Sequence, residues 1–231
     1  MQILAIDTST EFLSLALWLD GRLLSRDIHA GQTHSQQILP ALRELLDEAQ
    51  VELESLDGIA FGAGPGSFTG IRIACGVAQG LAFGANLPVV AVCTLLVLAQ
   101  QSGATRVIAC LDARMGEIYH AVYEKSGDVW LEVNPPSLFK PEEAPKVTGN
   151  DWVGVGTGWL VYADVLHGVY GTQLSGMQTP EHNSYPKATS ITALALPAFE
   201  AGLGSPAHQV APIYIRNKVA LKMSERVNRE L

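Results

Sequence analysis

Hydrophobic positions open the chain as three strand-length segments. Ile3 to Ile6 is a short apolar run, and Phe12 to Leu19 is a longer one that stops at Asp20-Gly21. Arg22 to Ile28 then returns, and the Asp-Gly pair between the two marks a two-residue hairpin. From Thr33, a predicted N-cap, apolar residues switch to helical spacing at Ile38, Leu39, Leu42, Leu45, Leu46 and Ala49. Pro40 inside that stripe predicts a kink or a later start. Leu56 to Phe61 reads as the next strand, followed by the glycine-rich run Gly62 to Ser67 and a helix from about Thr69 to Phe83. Pro88 to Val92 is another strand and Leu95 to Gln101 another helix.

Near residue 106 the opening pattern recurs. Ile3-Leu4-Ala5-Ile6-Asp7 is echoed by Val107-Ile108-Ala109-Cys110-Leu111-Asp112. Strands at Glu117 to Tyr123 and Val129 to Val133 follow, with a turn at Gly127-Asp128 between them. Asp7 precedes Gly21 by 14 residues and Asp112 precedes Gly127 by 15. An apolar strand that ends in Asp and feeds a hairpin opens an actin-like or RNase H-like lobe, and finding it twice predicts a duplicated α/β architecture. The expected lobes are 1–105 and a reduced 106–231. In the second, the four prolines between Asn134 and Pro145 predict an extended connector, Trp152 to Val155 a strand, Gly168 to Tyr185 irregular chain, and Ser190 to Ala201 a helix weakened by Pro197.

Composition narrows the function. With 48% apolar and 16% charged residues the chain is built for a packed core. No apolar run reaches the roughly 18 residues that cross a membrane, and the N-terminus lacks a basic leader, which together predict a cytoplasmic protein. Cys75, Cys93 and Cys110 all lie among apolar neighbours, as buried free thiols do. A net charge of −8 argues against gripping nucleic acid alone. The stretch from Tyr214 onward is the exception: five Lys and Arg against Glu225 and Glu230 make it +3 and leave −11 for the rest. Lys218, Lys222, Arg226 and Arg229 would share one face of a helix, whether as a solvated tail or as a docking element.

Candidate chemistry is sparse. Asp7-Thr8-Ser9-Thr10 sits where this fold class faces nucleotide phosphates, or it only closes a turn; both readings stay open. The string Gly64-Pro65-Gly66-Ser67-Phe68-Thr69-Gly70-Ile71-Arg72 lies between strand and helix, where backbone N–H groups receive anions. Asp7, Thr8, Gly66 and Ser67 are therefore weak phosphate candidates. No Lys follows the glycines as in a P-loop, and Pro65 and Thr69 stand where a nucleophile elbow needs Gly. The six histidines show no metal-ligand spacing. Gly76, Gly80 and Gly84 recur every four residues along the next helix, at about 1 kcal/mol each relative to Ala. Such a stripe requires close approach by another backbone, either the chain's own sheet or a helix of another subunit.

These strings, with Asp112-Ala113-Arg114-Met115-Gly116-Glu117-Ile118-Tyr119 and Tyr214-Ile215-Arg216, resemble the TsaB (YeaZ) family from end to end. The resemblance implies a duplicated actin-like (ASKHA) two-lobed fold. It also implies a non-catalytic scaffold that binds and activates TsaD for threonylcarbamoyl transfer to adenosine 37 of tRNA. TsaE is a further implied partner, tRNA is reached only through the complex, and the isolated chain would form a homodimer. No cofactor of its own is implied, beyond ATP or ADP at the contact with TsaD. The implied partner surface takes His34, Ile38, Leu42 and Leu45 from one helix, with Arg72, Ala74, Cys75, Gly76, Val77, Ala78, Gly80 and Leu81 from the next. TsaD carries metal-ligating histidines after an N-x-P-x-x-x-V strand. Aligned through Asn86 to Val92, those positions fall on Thr94 and Leu98, neither of which ligates metal. The alternatives are an independent actin-like ATPase or kinase resting on Asp7, Thr8, Asp112 and the 64–70 loop, and a peptidase, for which Ser67 lacks a motif.

Overall fold

The computed structural model describes residues 1–178 and 184–215. Its first sheet is built from β1 (Gln2–Asp7), β2 (Phe12–Leu19), β3 (Arg22–His29), β4 (Gly58–Gly64) and β5 (Val89–Cys93), in the order β3-β2-β1-β4-β5. The second sheet uses β6 (Arg106–Arg114), β7 (Glu117–Ser126), β8 (Val129–Phe139), β9 (Trp152–Val155) and β10 (Leu174–Gln178), in the order β10-β9-β6-β7-β8. Read from the other edge, the second order repeats the first strand for strand. In each sheet the first two connections are antiparallel hairpins and the last two strands pair parallel. The duplication expected from the two Asp-terminated strands is present, and the fold is a duplicated, actin-like α/β one.

The two faces of β1 show how pattern becomes layers. Successive side chains alternate between sheet faces. Leu4 and Ile6 point to a core shared with α1 (His34–Ala49) and α2 (Phe68–Ala85). Ile3 and Ala5 point the opposite way, to a core closed by α6 (Ala188–Glu200). α6 therefore follows the second sheet in sequence yet packs on the first. Between the sheets lies α3 (Thr94–Ser102): its Val97 joins the first sheet's inner core, while Leu95, Leu98 and Ala99 pack on Val107, Ala109 and Leu111 of β6. The far face of the second sheet is covered by α4 (Thr157–Val161) and α5 (Ala163–Tyr170), through Trp159, Leu166 and Tyr170.

Several local readings are corrected. α1 runs unbroken through Pro40, which is exposed on the solvent side. The proline-rich segment after Val133 is no connector: β8 continues through Pro135 and Pro136 to Phe139. Proline is tolerated there because β8 is an edge strand, with register shifts opposite it at Val122. The 168–185 stretch contains the end of α5 and all of β10 among its described residues, and α4 follows directly on β9. α2 is 18 residues long and apolar enough by composition to cross a membrane. Its Ala74, Ala78 and Ala82 side is nonetheless buried in the first sheet's core.

Candidate functional site

The glycine loop is built first against the loop after β1. The backbone N–H of Ser67 donates to the Ser9 carbonyl at 2.7 Å, and the Thr8 hydroxyl donates to the Gly70 carbonyl at 2.7 Å. A Cβ on Gly70 would stand 1.8 Å from the Thr8 carbonyl oxygen, and one on Gly66 would stand 2.6 Å from that of Ser9. These two glycines are needed because two loops nest backbone to backbone. The Ser67 hydroxyl accepts from the Gly70 N–H at 3.3 Å and caps α2.

The four phosphate candidates thus come together, but Asp7 and Thr8 face inward and are fully buried. Oδ1 of Asp7 accepts from the Ser9 N–H at 2.9 Å and the Ser9 hydroxyl at 2.8 Å, while Oδ2, pressed against Gly62, has no partner. Burial pushes the carboxyl up to about 7, against the opposing pull of the Ser9 hydrogen bonds. At neutral pH about half of this carboxyl carries a proton, and it has no exposed surface.

Between the lobes opens a cleft of about 1100 Å³, lined by Ser9, Ser67 and Phe68 on one side and Asp112, Arg114 and Leu160 on the other. Asp112 pairs with Arg114 at 3.2 Å and accepts from the Tyr162 hydroxyl at 3.3 Å. Ser67 and His34 both line this cleft, yet the Ser67 oxygen is engaged in the α2 cap and the His34 Nε2 donates to the Phe12 carbonyl at 3.2 Å. The glycines of the 154–158 run serve packing: Gly154 makes room for Trp159, and Gly156 and Gly158 for Cys110. Thr94 donates to the Pro65 carbonyl, and Leu98 lies against Gly156 in the core. Among the described residues no three His, Cys, Asp or Glu side chains cluster as a metal site.

The outer face of α2 is different in kind. Among the described residues, nothing lies within 4 Å of a Cβ added at Gly76, Gly80 or Gly84. The chain's own sheet is not their partner. Phe83, 81% exposed, stands beside them, and Leu39 on α1 is 54% exposed. Of the twelve surface residues implied by resemblance, Arg72, Gly76 and Gly80 are exposed and Val77 and Leu81 are half-buried. His34, Ile38, Leu42, Leu45, Ala74, Cys75 and Ala78 lie inside the chain. Helical periodicity explains the correction: these seven are on the sheet-facing stripe of α1 and α2, where they support the surface from beneath.

Sequence reading missed a clasp at the start of α2. The Arg72 guanidinium carbon lies 3.4 Å from the centre of the Phe68 ring, and its Nε donates to the Tyr214 hydroxyl at 2.8 Å. The Ile213 N–H donates to the Ala63 carbonyl at 2.7 Å and Gln79 donates to the Val210 carbonyl at 3.0 Å. Residues 210–215 are thereby tied to the C-terminal end of β4 and to α2. The only sequence signal was the Tyr-Ile-Arg string; Arg216 and the basic face from Lys218 to Arg229 lie outside the described residues.

Compared with known proteins, residues 28–221 match the family described as "TsaD: tRNA N6-adenosine threonylcarbamoyltransferase". The tRNA threonylcarbamoyladenosine biosynthesis protein TsaB of Escherichia coli is 39% identical over 96% of this chain and 97% of its own. The Haemophilus influenzae protein of the same name is 37% identical, over 96% of each chain. The structure of YeaZ from Pseudomonas aeruginosa is 41% identical and superimposes with a TM-score of 0.84, covering 92% of this chain and 99% of its own. A second Pseudomonas aeruginosa structure, described as an uncharacterized protein with similarity to peptidase YEAZ, is 40% identical with a TM-score of 0.85, covering 93% of this chain and 99% of its own.

Proposed function

The chain belongs to the TsaD family, on its TsaB (YeaZ) side, and from that premise we propose that it is an accessory subunit in tRNA threonylcarbamoyladenosine biosynthesis. Its task is to bind TsaD, stabilise its working form and leave the transfer chemistry to it, with TsaE as a further component and the cytoplasm as the site of action. The observation that carries this reading is the outward glycine stripe of α2. Each of Gly76, Gly80 and Gly84 costs about 1 kcal/mol of helix stability relative to Ala, and no packing among the described residues requires any of them. A helix of a partner laid across bare backbone offsets that cost, because small residues let two helices approach closely. Phe83, next to Gly84 on the same helix, supplies an exposed apolar anchor beside the stripe. The sealed Asp7 and the engaged Ser67 hydroxyl support a role without catalysis. The same face would join two copies when TsaD is absent.

The test is reconstitution. The pure chain should neither hydrolyse ATP nor modify tRNA. Added to TsaD, TsaE and the enzyme that forms the threonylcarbamoyl-adenylate, it should raise modification from background to full turnover. Equal modification with and without it would overturn the reading.

A further inference from the structure

Resting on that reading, we infer that Arg72 is a pre-set guanidinium fork that takes a carboxylate on the partner's docking helix. This pairing selects the partner over a second copy of the chain. Arg72 is the one charged residue of α2 and is exposed. It stands four residues before Gly76 and eight before Gly80, so it heads the glycine stripe. An exposed arginine ordinarily moves among many rotamers and gives up that freedom on binding. Arg72 is already held. Its guanidinium carbon sits 3.4 Å from the centre of the Phe68 ring and 5.3 Å from that of Tyr214, and its Nε donates to the Tyr214 hydroxyl at 2.8 Å. Tyr214 is fixed by the chain beside it, where the Ile213 N–H donates to the Ala63 carbonyl at 2.7 Å.

Among the described residues, the two terminal nitrogens of Arg72 have no hydrogen-bond or ion-pair partner. With Nε occupied, these are the donors left, in a planar fork that matches the two oxygens of a carboxylate. Phe68 and Tyr214, 39% and 47% exposed, form an apolar collar that excludes water from the fork once a partner lands. Charge then chooses the ligand. The chain before Tyr214 sums to −11, which repels a polyanion, and one arginine makes a single phosphate contact where RNA binding needs several. A lone carboxylate on a protein helix meets far less repulsion and answers the fork with two bonds. The same argument separates the partner from a second copy. α2 carries no Asp or Glu, so a second α2 laid across the stripe leaves both forks unanswered. The helix that fits has small residues against Gly76 and Gly80 and an Asp or Glu at its Arg72 end.

The experiment measures two dissociation constants for the full-length chain, that of its complex with TsaD by calorimetry and that of its homodimer by sedimentation. Arg72→Gln and Arg72→Lys are compared with the wild type, and thermal unfolding checks that each is folded. Arg72→Gln should weaken the TsaD complex by about 30-fold, as loss of one member of a desolvated charge pair does. The homodimer should change by less than about threefold, the range of an exposed charge without a partner. Arg72→Lys should stay about tenfold weak toward TsaD, because a point charge cannot form the two parallel bonds. An unchanged TsaD affinity in folded Arg72→Gln, with Gly80→Leu still blocking the complex, overturns the fork and leaves the reading beneath it standing. Equal losses in complex and homodimer overturn the selection, and full recovery by Arg72→Lys overturns the bidentate geometry. Weaker tRNA binding by the assembled Arg72→Gln complex, at unchanged TsaD affinity, would assign the fork to a phosphate and overturn the carboxylate. Failure of the wild type to bind TsaD would sink the reading on which the fork rests.

Discussion

The carboxylates of Asp7 and Asp112 each accept a hydrogen bond from the backbone N–H two residues further on, at 2.9 Å in both lobes. The duplicated fold keeps this turn twice and gives it opposite surroundings. Asp7 is sealed beneath Gly62 with one oxygen unpartnered, whereas Asp112 opens on the cleft and is paired with Arg114. The strand-end carboxylate is closed off in the first lobe and lines the cleft beside Arg114 in the second.

Asp7 makes stability depend on pH in a direction opposite to that of carboxylates held in ion pairs. Its folded value, about 7, is raised above that of the unfolded chain, so the folded state holds an extra proton between pH 4 and 7. Stability from this group is full below about pH 4 and is lost as pH rises through 7. Asp7→Asn keeps the shape without the charge and should remove that loss. In urea unfolding at pH 8 the variant should exceed the wild type, with about 4 kcal/mol as an upper bound, and the gap should close at pH 4. A gap that is constant with pH would contradict the assignment.

Glycines on one helix should respond with opposite signs. Gly84→Ala meets nothing among the described residues and should stabilise by about 1 kcal/mol through helix propensity. Gly70→Ala places a methyl against the Thr8 carbonyl and should cost about 2–3 kcal/mol. Thermal unfolding of the two variants beside the wild type reads both signs at once.

His120 is buried, its Nε2 is 2.6 Å from the Tyr170 hydroxyl, and that hydroxyl donates to the Pro145 carbonyl at 3.1 Å. The imidazole therefore donates from Nε2, and Nδ1 is left without a partner. Burial lowers its protonation to about pH 4. The unfolded chain protonates nearer 6.5, so this group costs stability as pH falls from 6.5 toward 4. His120→Gln should flatten that part of the acid limb, at the cost of an imperfect fit; an equally steep limb in the variant would place the effect elsewhere.

The sequence made the duplication legible because its signal is local: an apolar run, an Asp, and a hairpin glycine at matching spacing. The glycine string was legible as special but not in purpose. Nothing in Gly66 and Gly70 distinguishes a cradle for phosphate from a nest for Ser9 and Thr8, since both need bare backbone. The direction of Gly76 and Gly80 was equally open, because periodicity assigns residues to one stripe without saying which way the stripe faces. The resemblance likewise assigned whole helices to the partner surface, Ile38, Leu42 and Ala74 included, without saying which of their residues face inward to the core. Missed outright were α4 and β10, five residues each and too short to carry a period. The Arg72–Tyr214 clasp joins positions 142 apart, a separation that no local pattern spans.

The central claim is that the glycine face of α2 docks the partner. The direct measurement is light scattering on the chain alone and mixed with TsaD, for the wild type, Gly80→Leu and Gly84→Ala. The account predicts a wild-type dimer that converts to a complex with TsaD, and a folded Gly80→Leu chain that remains monomeric and binds no TsaD. It predicts a Gly84→Ala chain that is more stable and binds more weakly. A Gly80→Leu chain that still forms the complex at wild-type affinity would contradict the account and leave the stripe without a function.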